Sequence, residues 1–507
     1  MKNTIVRICD SMRAATLRKV WRETMNRKRF TTVGGIVISV IIVVWLISCA
    51  VNPVTGKRQF MLMSESDELA LGQQTDQAVL QEYGVYNDPE LNAYVQRLGQ
   101  EMGRKTHRSN LNYSFKVLDT PVVNAFAVPG GYVYFTRGIM AHLNNEAEFA
   151  GVLGHELGHI NARHSAAQYS QMQLAQAGLL AGMIFSEDVQ KYSSYIMAGM
   201  ELLFLKFSRD DEREADDLGV IYSTASGYNS LGMATFFETL ERMHPSTGQA
   251  LPDWFSTHPN PVDRVAAVKQ KTAEEQAKYP GQEFVFNRSS YLAHLDGLPF
   301  GEDPRQGYVS GNAFYHPGMK FTFPVPQGWQ LINSPTKVQM TPQAQDAAIL
   351  FSLDPSGSRE KVAQNFVNET QGTIVATDEI SVNGFPARRL ITDVPSENGA
   401  LRVRSYFIDK DGATFVFYGF TTQTSFSQYD PTFDNTMRNF AALSDKSKIN
   451  VKAPTLRLVT VSKAQALRTL LQGERIAADK LEEMAILNGL QLQDNLPVGT
   501  QIKIVTN

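Results

Sequence analysis

The sequence predicts an α+β protein, with a mostly helical amino-terminal region that holds a small β-sheet, then a strand-rich α+β region and a small βααβ unit. Three observations lead to this prediction. The length of 507 residues suggests about three domains. Apolar residues recur with helical spacing over 64–105, and strand-like segments dominate 306–445. Hydrophobic residues make up 43% and charged residues 20%, a globular balance that excludes disorder, collagen and coiled coil for most of the chain.

The helices and strands of the amino-terminal region follow in a clear order. Periodicity predicts helices within 64–105, over 145–169 and over 209–223, and alternation predicts strands within 112–136. The apolar stretch 171–207 is interrupted by charged residues, so a helical hairpin or lid is expected there rather than a membrane span. Cap-like residues mark the predicted helix starts, which are Ser64, Asp88 and Asn145.

The carboxyl-terminal half is expected to form two further units. Proline and glycine become frequent over 245–300, which places a boundary near 285–305. In the strand-rich region, a turn at Lys410-Asp-Gly between two alternating segments predicts a hairpin. The predicted domains are 49–300, 306–445 and 453–507.

Charge is distributed unevenly along the chain. The net charge of −3 combines +7 on residues 1–30 with −10 on the remainder. The acidic body lacks the clustered Lys and Arg that neutralise phosphates, so no nucleic-acid partner is expected. The two cysteines, Cys9 and Cys49, allow at most one disulfide.

The amino terminus resembles an export signal of the lipoprotein type. The uncharged run 33–48 has sixteen residues, fewer than the about 20 that span a bilayer. It ends in Leu-Ile-Ser-Cys49, which resembles the bacterial lipobox and implies lipidation of Cys49. Residues 1–48 are then a signal segment, with Met25 as an alternative start, and Ala50 implies the outer membrane as destination. The alternative is an uncleaved helix in the inner membrane. Both place the rest of the chain outside the cytoplasm, facing the periplasm.

The pentapeptide His155-Glu-Leu-Gly-His159 carries the candidate chemistry. On a helix, residues four apart share a face, so both imidazoles can reach one metal ion. Zn²⁺ suits two neutral imidazoles and a carboxylate, with a fourth position for water, and Glu156 is close enough to take a proton from that water. Gly154 and Gly158 each cost about 1 kcal/mol in a helix, which indicates close backbone packing. The alternative is a pair of surface histidines beside an ordinary glutamate.

A third ligand distinguishes the two alternatives. The metzincin arrangement needs a histidine at 165, where the chain has Ser165, and His164 is one position away. Glu212 and Asp216 are four apart on a predicted helix, so one can bind a metal while the other hydrogen-bonds to a ligand. Taken alone, their acidic run also suits a solvent-exposed helix.

The HELGH motif followed by SRDDEREAD resembles the exported gluzincin-type proteases related to HtpX and the CaaX prenyl protease. The resemblance implies a zincin-like fold, polypeptide substrates and one Zn²⁺ per chain. The zinc ligands that it implies are His155, His159 and Glu212. It implies that Glu156 is the base and that Asp216 supports a ligand.

Two more segments resemble the same family. Asn124, Ala125, Phe126 and Ala127 resemble its edge strand, which pairs with an extended substrate backbone. The His258-Pro-Asn-Pro loop with Arg264 resembles residues that stabilise the tetrahedral oxyanion or, in some members, plug the zinc site. A turn residue before proline is the alternative for His258.

Residues 453–507 resemble a LysM-like module, a βααβ fold that often binds glycans containing N-acetylglucosamine. A typical module has Gly-Asp-Thr-Leu where this chain has Lys463-Ala-Gln-Ala. This departure leaves two alternatives open for the unit, a module that binds peptidoglycan and a small domain that packs on the rest of the chain. The tetratricopeptide repeats of the best-known outer-membrane-assembly proteases of the family are absent from the sequence.

Two functions follow from these features. The first is a zinc-dependent endopeptidase of the bacterial cell envelope that cuts misfolded or misassembled envelope proteins. The alternative is a latent or non-catalytic zinc-bearing adaptor that binds envelope proteins or peptidoglycan through residues 306–507.

Overall fold

The computed structural model describes residues 49–173, 207–243, 254, 258, 263–355, 357–396 and 399–506. The predicted signal segment, and all but the ends of the predicted hairpin or lid over 171–207, lie outside these ranges. Within them the chain is an α+β protein with a helical region followed by a strand-rich region. No helix in the described ranges combines the length and the apolar character that crossing a bilayer requires.

The first part of the helical region holds the predicted helices and strands. Ser64 and Asp88 cap their helices, as predicted, through side chains that accept hydrogen bonds from the backbone of Asp67 and Leu91. The elements in chain order are β1 (Cys49–Val51), β2 (Arg58–Phe60), α1 (Glu65–Tyr83), α2 (Pro89–Gly103), β3 (Ser114–Leu118), β4 (Ala125–Val128), β5 (Tyr132–Thr136) and α3 (Arg137–His142).

A three-stranded sheet lies beside the candidate motif. Strand β5 is central, with β3 parallel to it on one side and β4 antiparallel on the other. Gly130 and Gly131 join β4 to β5 with φ values of 84° and 101°, a left-handed conformation that costs glycine little. The turn therefore leaves β4 at the edge of the sheet.

The second part of the helical region carries the candidate site. Its helices are α4 (Glu146–Asn161), α5 (Arg209–Ala225), α6 (Leu231–Arg242), α7 (Arg264–Gln276) and α8 (Arg288–Ala293). The prediction of one continuous helix over 145–169 is wrong, because the helix breaks at 162–163 and resumes over 164–173. Arg163 has a left-handed φ of 59°, and its guanidinium Nε donates to Glu68 Oε2 at 2.8 Å. This buried ion pair holds a conformation that helical periodicity cannot indicate.

The strand-rich region folds around two antiparallel sheets. Its elements in chain order are β6 (Tyr308–Ser310), β7 (Ala313–His316), β8 (Phe321–Pro324), β9 (Gln330–Asn333), β10 (Lys337–Thr341), β11 (Ala347–Asp354), α9 (Arg359–Thr370), β12 (Thr373–Val382), β13 (Phe385–Val394), β14 (Leu401–Lys410), β15 (Ala413–Thr422), α10 (Phe426–Arg438) and β16 (Ala441–Ala442). A seven-stranded sheet has the order β12-β13-β14-β15-β11-β10-β9, and a four-stranded sheet has the order β16-β8-β7-β6. Asp411 and Gly412 have φ values of 53° and 82° and form the predicted hairpin turn between β14 and β15.

After a short helix α11 (Lys446–Ile449), the chain ends in a unit whose two helices follow one pair of strands and precede another. The outer strands β17 (Thr455–Thr460) and β20 (Gln501–Thr506) pair antiparallel, with the helices between them. The intervening elements are β18 (Gln465–Ala466), α12 (Leu467–Gly473), α13 (Leu481–Leu487) and β19 (Asn495–Leu496).

The buried apolar residues divide unequally between these regions. One core cluster contains residues of the helical region, such as Leu153 and Phe149, together with Leu471 and Ile504 of the last 55 residues. The strand-rich region has a separate core rich in aromatic rings, in which Phe351 stacks on Phe415. The carboxyl-terminal unit thus shares its core with the region that carries the HELGH helix.

Candidate metal centre

Close packing of helices α4 and α5 assembles the site. A Cβ atom placed on Gly154 would lie 2.8 Å from the carbonyl oxygen of Gly219, and one on Gly158 would lie 3.0 Å from the Cα of Ala215. Only glycine lets the two backbones approach this closely, which confirms the packing role predicted for Gly154 and Gly158. The close approach brings the two histidines of α4 beside the acidic residues of α5.

Four buried side chains converge where these helices meet. Donor atoms of His155, His159, Glu212 and His258 all lie within 4.8 Å of one another. The two Nε2 atoms of His155 and His159 are 3.0 Å apart, and Glu212 Oε1 is 3.5 Å from His159 Nε2. His258 Nδ1 lies 3.2 Å from His155 Nε2 and 3.0 Å from Glu212 Oε1. The structure therefore brings together the three predicted ligands and adds His258 to them.

Asp216 and Arg264 flank the cluster on the side of His155. Asp216 Oδ1 is 2.9 Å from His155 Nδ1, the contact that the sequence predicts for a supporting carboxylate. Arg264 donates to both oxygens of Asp216, at 2.6 and 2.7 Å, and its Nη2 lies 3.2 Å from Glu212 Oε2. A bidentate pair of this kind fixes the carboxylate and, through it, the ring of His155.

His164 is a contact that the sequence analysis missed, since it appears there only as a histidine out of place for a metzincin. Its Nδ1 lies 3.0 Å from Nδ1 of His159. The only signal in the sequence is that His164 follows His159 by five residues. This spacing does not predict the contact, because the contact depends on the turn at Arg163. The ring of Phe207 stacks on the ring of His159, with centroids 4.0 Å apart.

Burial and neighbouring charges set the protonation of the four donors. Burial lowers the pKa of His155 and of His159 well below 6.5, which leaves both imidazoles neutral, the form that binds metal. Burial opposes ionisation of Glu212, but His258, His159 and Arg264 outweigh it and hold the pKa of this carboxyl well below its usual value. For His258, burial favours the neutral ring, but Glu212 and Glu156 outweigh it and raise its pKa.

Glu156 lies between the cluster and the sheet edge. Burial raises the pKa of its carboxyl to about 7, against the attraction of His258 and a hydrogen bond from the backbone of Ala127. Its Oε1 is 3.7 Å from His258 Nε2, and in the part of the chain that the structure describes both atoms are buried without a hydrogen-bond partner. A cation held by the adjacent donors would favour the ionised carboxylate.

The donor set fits a divalent metal ion. Two ligands about 2.05 Å from a tetrahedral zinc lie about 3.3 Å apart, close to the nitrogen separations of 3.0 and 3.2 Å given above. Two neutral imidazoles with an ionised carboxylate are the ligand types that zinc prefers. The second carboxylate oxygen of Glu212, Oε2, is buried and lies 3.2 Å from Arg264 Nη2 and 3.7 Å from His155 Nε2.

The four edge-strand candidates lie next to this cluster. Ala125, Phe126 and Ala127 belong to β4, and Asn124 directly precedes it. Phe126 packs away from the cluster, against the ring of Tyr134 at a centroid distance of 5.0 Å. The backbone of Ala127, which contacts Glu156, connects this edge to the site.

Comparisons with known proteins agree with this geometry. The model of peptidase family M48 matches residues 89–272. Metalloprotease YcaL of Escherichia coli K12 is 30% identical over 181 residues, which is 35% of this chain and 68% of YcaL. The mitochondrial metalloendopeptidase OMA1 of Schizosaccharomyces pombe is 28% identical over 271 residues, 53% of this chain and 80% of that protein.

A third relative is matched over less of its length. The beta-barrel assembly-enhancing protease of Escherichia coli K12 is 24% identical over 260 residues. The match covers 50% of this chain and 53% of that relative, so the chain spans about half of the relative's length. Among solved structures, a cyanobacterial PsbP from Synechocystis is similar at a TM-score of 0.23 and 14% identity, covering 27% of this chain and 96% of that one.

The buried His/Glu cluster and these relatives define a metallopeptidase, an enzyme that hydrolyses peptide bonds with the help of a metal ion, typically zinc in such proteins. The chain belongs to peptidase family M48.

Proposed function

We propose that the chain is a zinc-dependent endopeptidase of the bacterial cell envelope, with one Zn²⁺ held by His155, His159 and Glu212. The observation that carries this proposal is the convergence of these buried donor atoms within 4.8 Å, next to Glu156. Its substrates are polypeptides, and we propose misfolded or misassembled envelope proteins among them.

The roles of the residues around the metal follow from their contacts. When bound, zinc acts as a Lewis acid that polarises the scissile carbonyl and makes water more acidic. Glu156 accepts a proton from the attacking water and passes it to the leaving nitrogen, a role suited to a buried carboxylate that the adjacent cation keeps ionised. Asp216 fixes the ring of His155 by accepting the hydrogen on His155 Nδ1. His258 and Arg264 are the cationic groups that stabilise the oxyanion.

The edge strand provides the substrate platform in this proposal. Strand β4 pairs with β5 on one side only in the described sheet, so its other edge can hydrogen-bond to an extended peptide. Asn124 to Ala127 form this edge, and the contact of the Ala127 backbone with Glu156 sets the distance between bound peptide and base.

The test is cleavage of casein by the wild type and by Glu156→Gln. The amide introduced by this substitution keeps the shape of the side chain but cannot accept the proton, so we expect cleavage to fall by about 10²–10⁴-fold with zinc content unchanged. Cleavage at the wild-type rate would refute the role of Glu156. Loss of zinc together with activity would instead assign Glu156 to metal binding.

A latent enzyme is the second candidate, and the position of His258 favours it. A catalytic zinc site keeps one position open for water. Here His258 Nδ1 lies within 3.2 Å of both His155 Nε2 and Glu212 Oε1, and the ring stacks on Trp254 with centroids 4.3 Å apart. In this second candidate, His258 takes the fourth place and closes the site to water.

His258→Ala separates a latent site from an inert one. A latent protease should cut casein faster once this ring is removed, whereas an adaptor without activity should gain none. A decrease would show that the contribution of His258 to the oxyanion outweighs its blocking role.

We further propose that the chain is exported and anchored at Cys49, with the outer membrane as destination and an inner-membrane anchor as the alternative. The lipobox-like sequence supports this, as do relatives named beta-barrel assembly-enhancing protease. Incorporation of labelled palmitate into the wild type but not into Cys49→Ala is expected. Equal labelling would contradict the anchor.

The proposed units are a protease domain over 49–300, a strand-rich domain over 306–445 and a LysM-like domain over 453–507. The order of elements in the last unit supports the LysM resemblance, and peptidoglycan is its proposed partner. Sedimentation of the full chain with purified peptidoglycan tests this partner, and a chain that stays entirely in the supernatant would remove it.

A further inference from the structure

His164 connects one of the proposed zinc ligands to a distant part of the chain. It is the first residue after the left-handed turn at Arg163, and 4% of its surface is exposed. The turn points its ring back toward α4, where His164 Nδ1 lies 3.0 Å from Nδ1 of His159. This contact is on the side of the His159 ring that faces away from the donor cluster.

The positions of the hydrogens follow from this contact. His159 Nε2 faces the donor cluster, 3.0 Å from His155 Nε2, so a metal at the cluster needs its lone pair. A neutral imidazole carries one hydrogen, which must then be on Nδ1 of His159 and is donated to His164 Nδ1. His164 consequently carries its own hydrogen on Nε2.

Carboxylates face that second nitrogen of His164. Glu214 Oε2 lies 3.5 Å from His164 Nε2, and Asp211 Oδ1 lies 3.6 Å from it. Both are negative groups on α5, the helix that also carries Glu212. Their charge favours a hydrogen on Nε2 of His164, which leaves the Nδ1 lone pair free to accept from His159.

Asn52 bonds to the other carboxylate oxygen of Glu214. The Asn52 side-chain oxygen accepts hydrogen bonds from the backbone of Val54 and Thr55, at 2.8 and 3.2 Å, which orients its amide. The Nδ2 group then donates to Glu214 Oε1 and to the carbonyl oxygen of Ala162, both at 3.4 Å. Asn52 is buried, with 5% of its surface exposed.

We propose that His164 is a positioning residue for His159. In this role it accepts the Nδ1 hydrogen, fixes the ring and its tautomer, and is itself held by Glu214 and Asn52. The proposal rests on the proposed function, because it assumes a metal at the cluster. The two histidine ligands are then oriented differently, His155 directly by Asp216 and His159 through a second imidazole.

The experiment compares His164→Ala with His164→Asn in the full chain. Asparagine retains an oxygen that can accept from His159 Nδ1, whereas alanine does not. The readouts are the rate of zinc release to the chelator 4-(2-pyridylazo)resorcinol and the visible absorption spectrum after loading with Co²⁺ alone. Removing a hydrogen-bond partner of a metal ligand typically costs 10–100-fold in affinity.

We expect His164→Ala to weaken zinc binding by about 10–100-fold, seen as faster zinc release to the chelator, and to change the Co²⁺ spectrum. In His164→Asn, both the release rate and the spectrum should return most of the way to those of the wild type. Equal loss in the two variants would reduce His164 to a packing role, and no loss in either would also overturn the proposal. A wild-type chain that takes up no zinc would refute the proposed function itself, a different result from a wild type that binds zinc normally.

A second pair of variants covers the case in which His164→Ala does not fold. Glu214→Gln removes the charge that faces His164, and Asp210→Asn is the matched control on the same helix, where Asp210 is an exposed residue 3.5 Å from Arg213. Zinc should leave Glu214→Gln several-fold faster than the wild type, and Asp210→Asn at the wild-type rate. Equal rates in both variants would contradict the role of Glu214.

Discussion

Two regions follow the helical region along the chain, the strands and helices of 308–442 and the last unit, 453–506, and they relate to it differently. The strand-rich region has its own aromatic core. The last unit shares a core with the HELGH helix, and its buried Lys503 donates to the carbonyl oxygens of Ala141 and Leu143, at 2.6 and 2.8 Å. These carbonyls lie just before helix α4.

The difference shows that a region's distance from the site along the sequence does not determine whether it packs against the helices that carry the site. Strand β20 packs on α8, and α8 packs on α4, so a path of contacts leads from the last strand to the proposed metal ligands. Arg288 on α8 reinforces it, donating to the carbonyl oxygens of Asn144 and Gln501. We therefore expect the last unit to stabilise the site and the strand-rich region to be largely independent of it.

The largest effect should come from a matched pair of core substitutions, Ile504→Ala in the shared core and Ile349→Ala in the separate core. Both side chains are 0% exposed, so each change should cost about 2–5 kcal/mol of unfolding free energy in its own core. Hydrogen exchange followed by mass spectrometry should show faster exchange in α4 only for Ile504→Ala. Equal exchange of α4 in both variants would contradict the difference between the two regions.

The role of Lys503 should be visible in how the free energy of unfolding depends on pH. Burial lowers its pKa well below 10.5, and a neutral amine still has two hydrogens for its two carbonyl acceptors. At pH values between the pKa of Lys503 in the folded chain and its pKa in the unfolded chain, the unfolded chain binds more protons. The contribution of Lys503 therefore makes the free energy of unfolding rise as the pH increases toward 10.5.

The rise is at most about 1.4 kcal/mol per pH unit, and Lys503→Met should lack it. Urea unfolding of both proteins at several pH values between about 7 and about 9.5 measures the difference. If the two free energies changed in parallel with pH, Lys503 would be charged in the folded protein and the argument from its burial would be wrong.

The smallest effects are expected from surface ion pairs that join each region to the helical region. Arg242 Nη2 lies 3.1 Å from Glu482 of the last unit, and Lys337 of the strand-rich region lies 2.9 Å from Glu82. Exposed pairs of this kind contribute less than about 1 kcal/mol, so Arg242→Ala and Lys337→Ala should both change the urea midpoint little. A large effect of either would place the coupling at the surface rather than in the core.

Local sequence patterns were enough to predict much of the site and several elements. The HELGH spacing places His155 and His159 on one helix face, and the four-residue spacing of Glu212 and Asp216 pairs them on another. Ser64 and Asp88 are caps whose hydrogen bonds lie within three residues, so their signal is complete in the sequence. Such features need no knowledge of tertiary contacts.

Other features depend on residues that are far apart in the chain. The break in the helix at Arg163 is held by Glu68, 95 positions earlier, and it is this break that brings His164 to His159. Lys503 bonds to Leu143 across 360 positions. No periodicity or cap signal encodes contacts of this range, so the shared core and the second imidazole emerge only from the folded chain.

The central claim is that His155, His159 and Glu212 hold one zinc ion, and its most direct test is zinc content per chain measured by inductively coupled plasma mass spectrometry. The wild type and the control Asp210→Asn should contain about one zinc per chain. Glu212→Gln, which removes the carboxylate and leaves a neutral amide, should retain less than about a tenth of that. A Glu212→Gln chain that keeps a full complement of zinc would contradict the account.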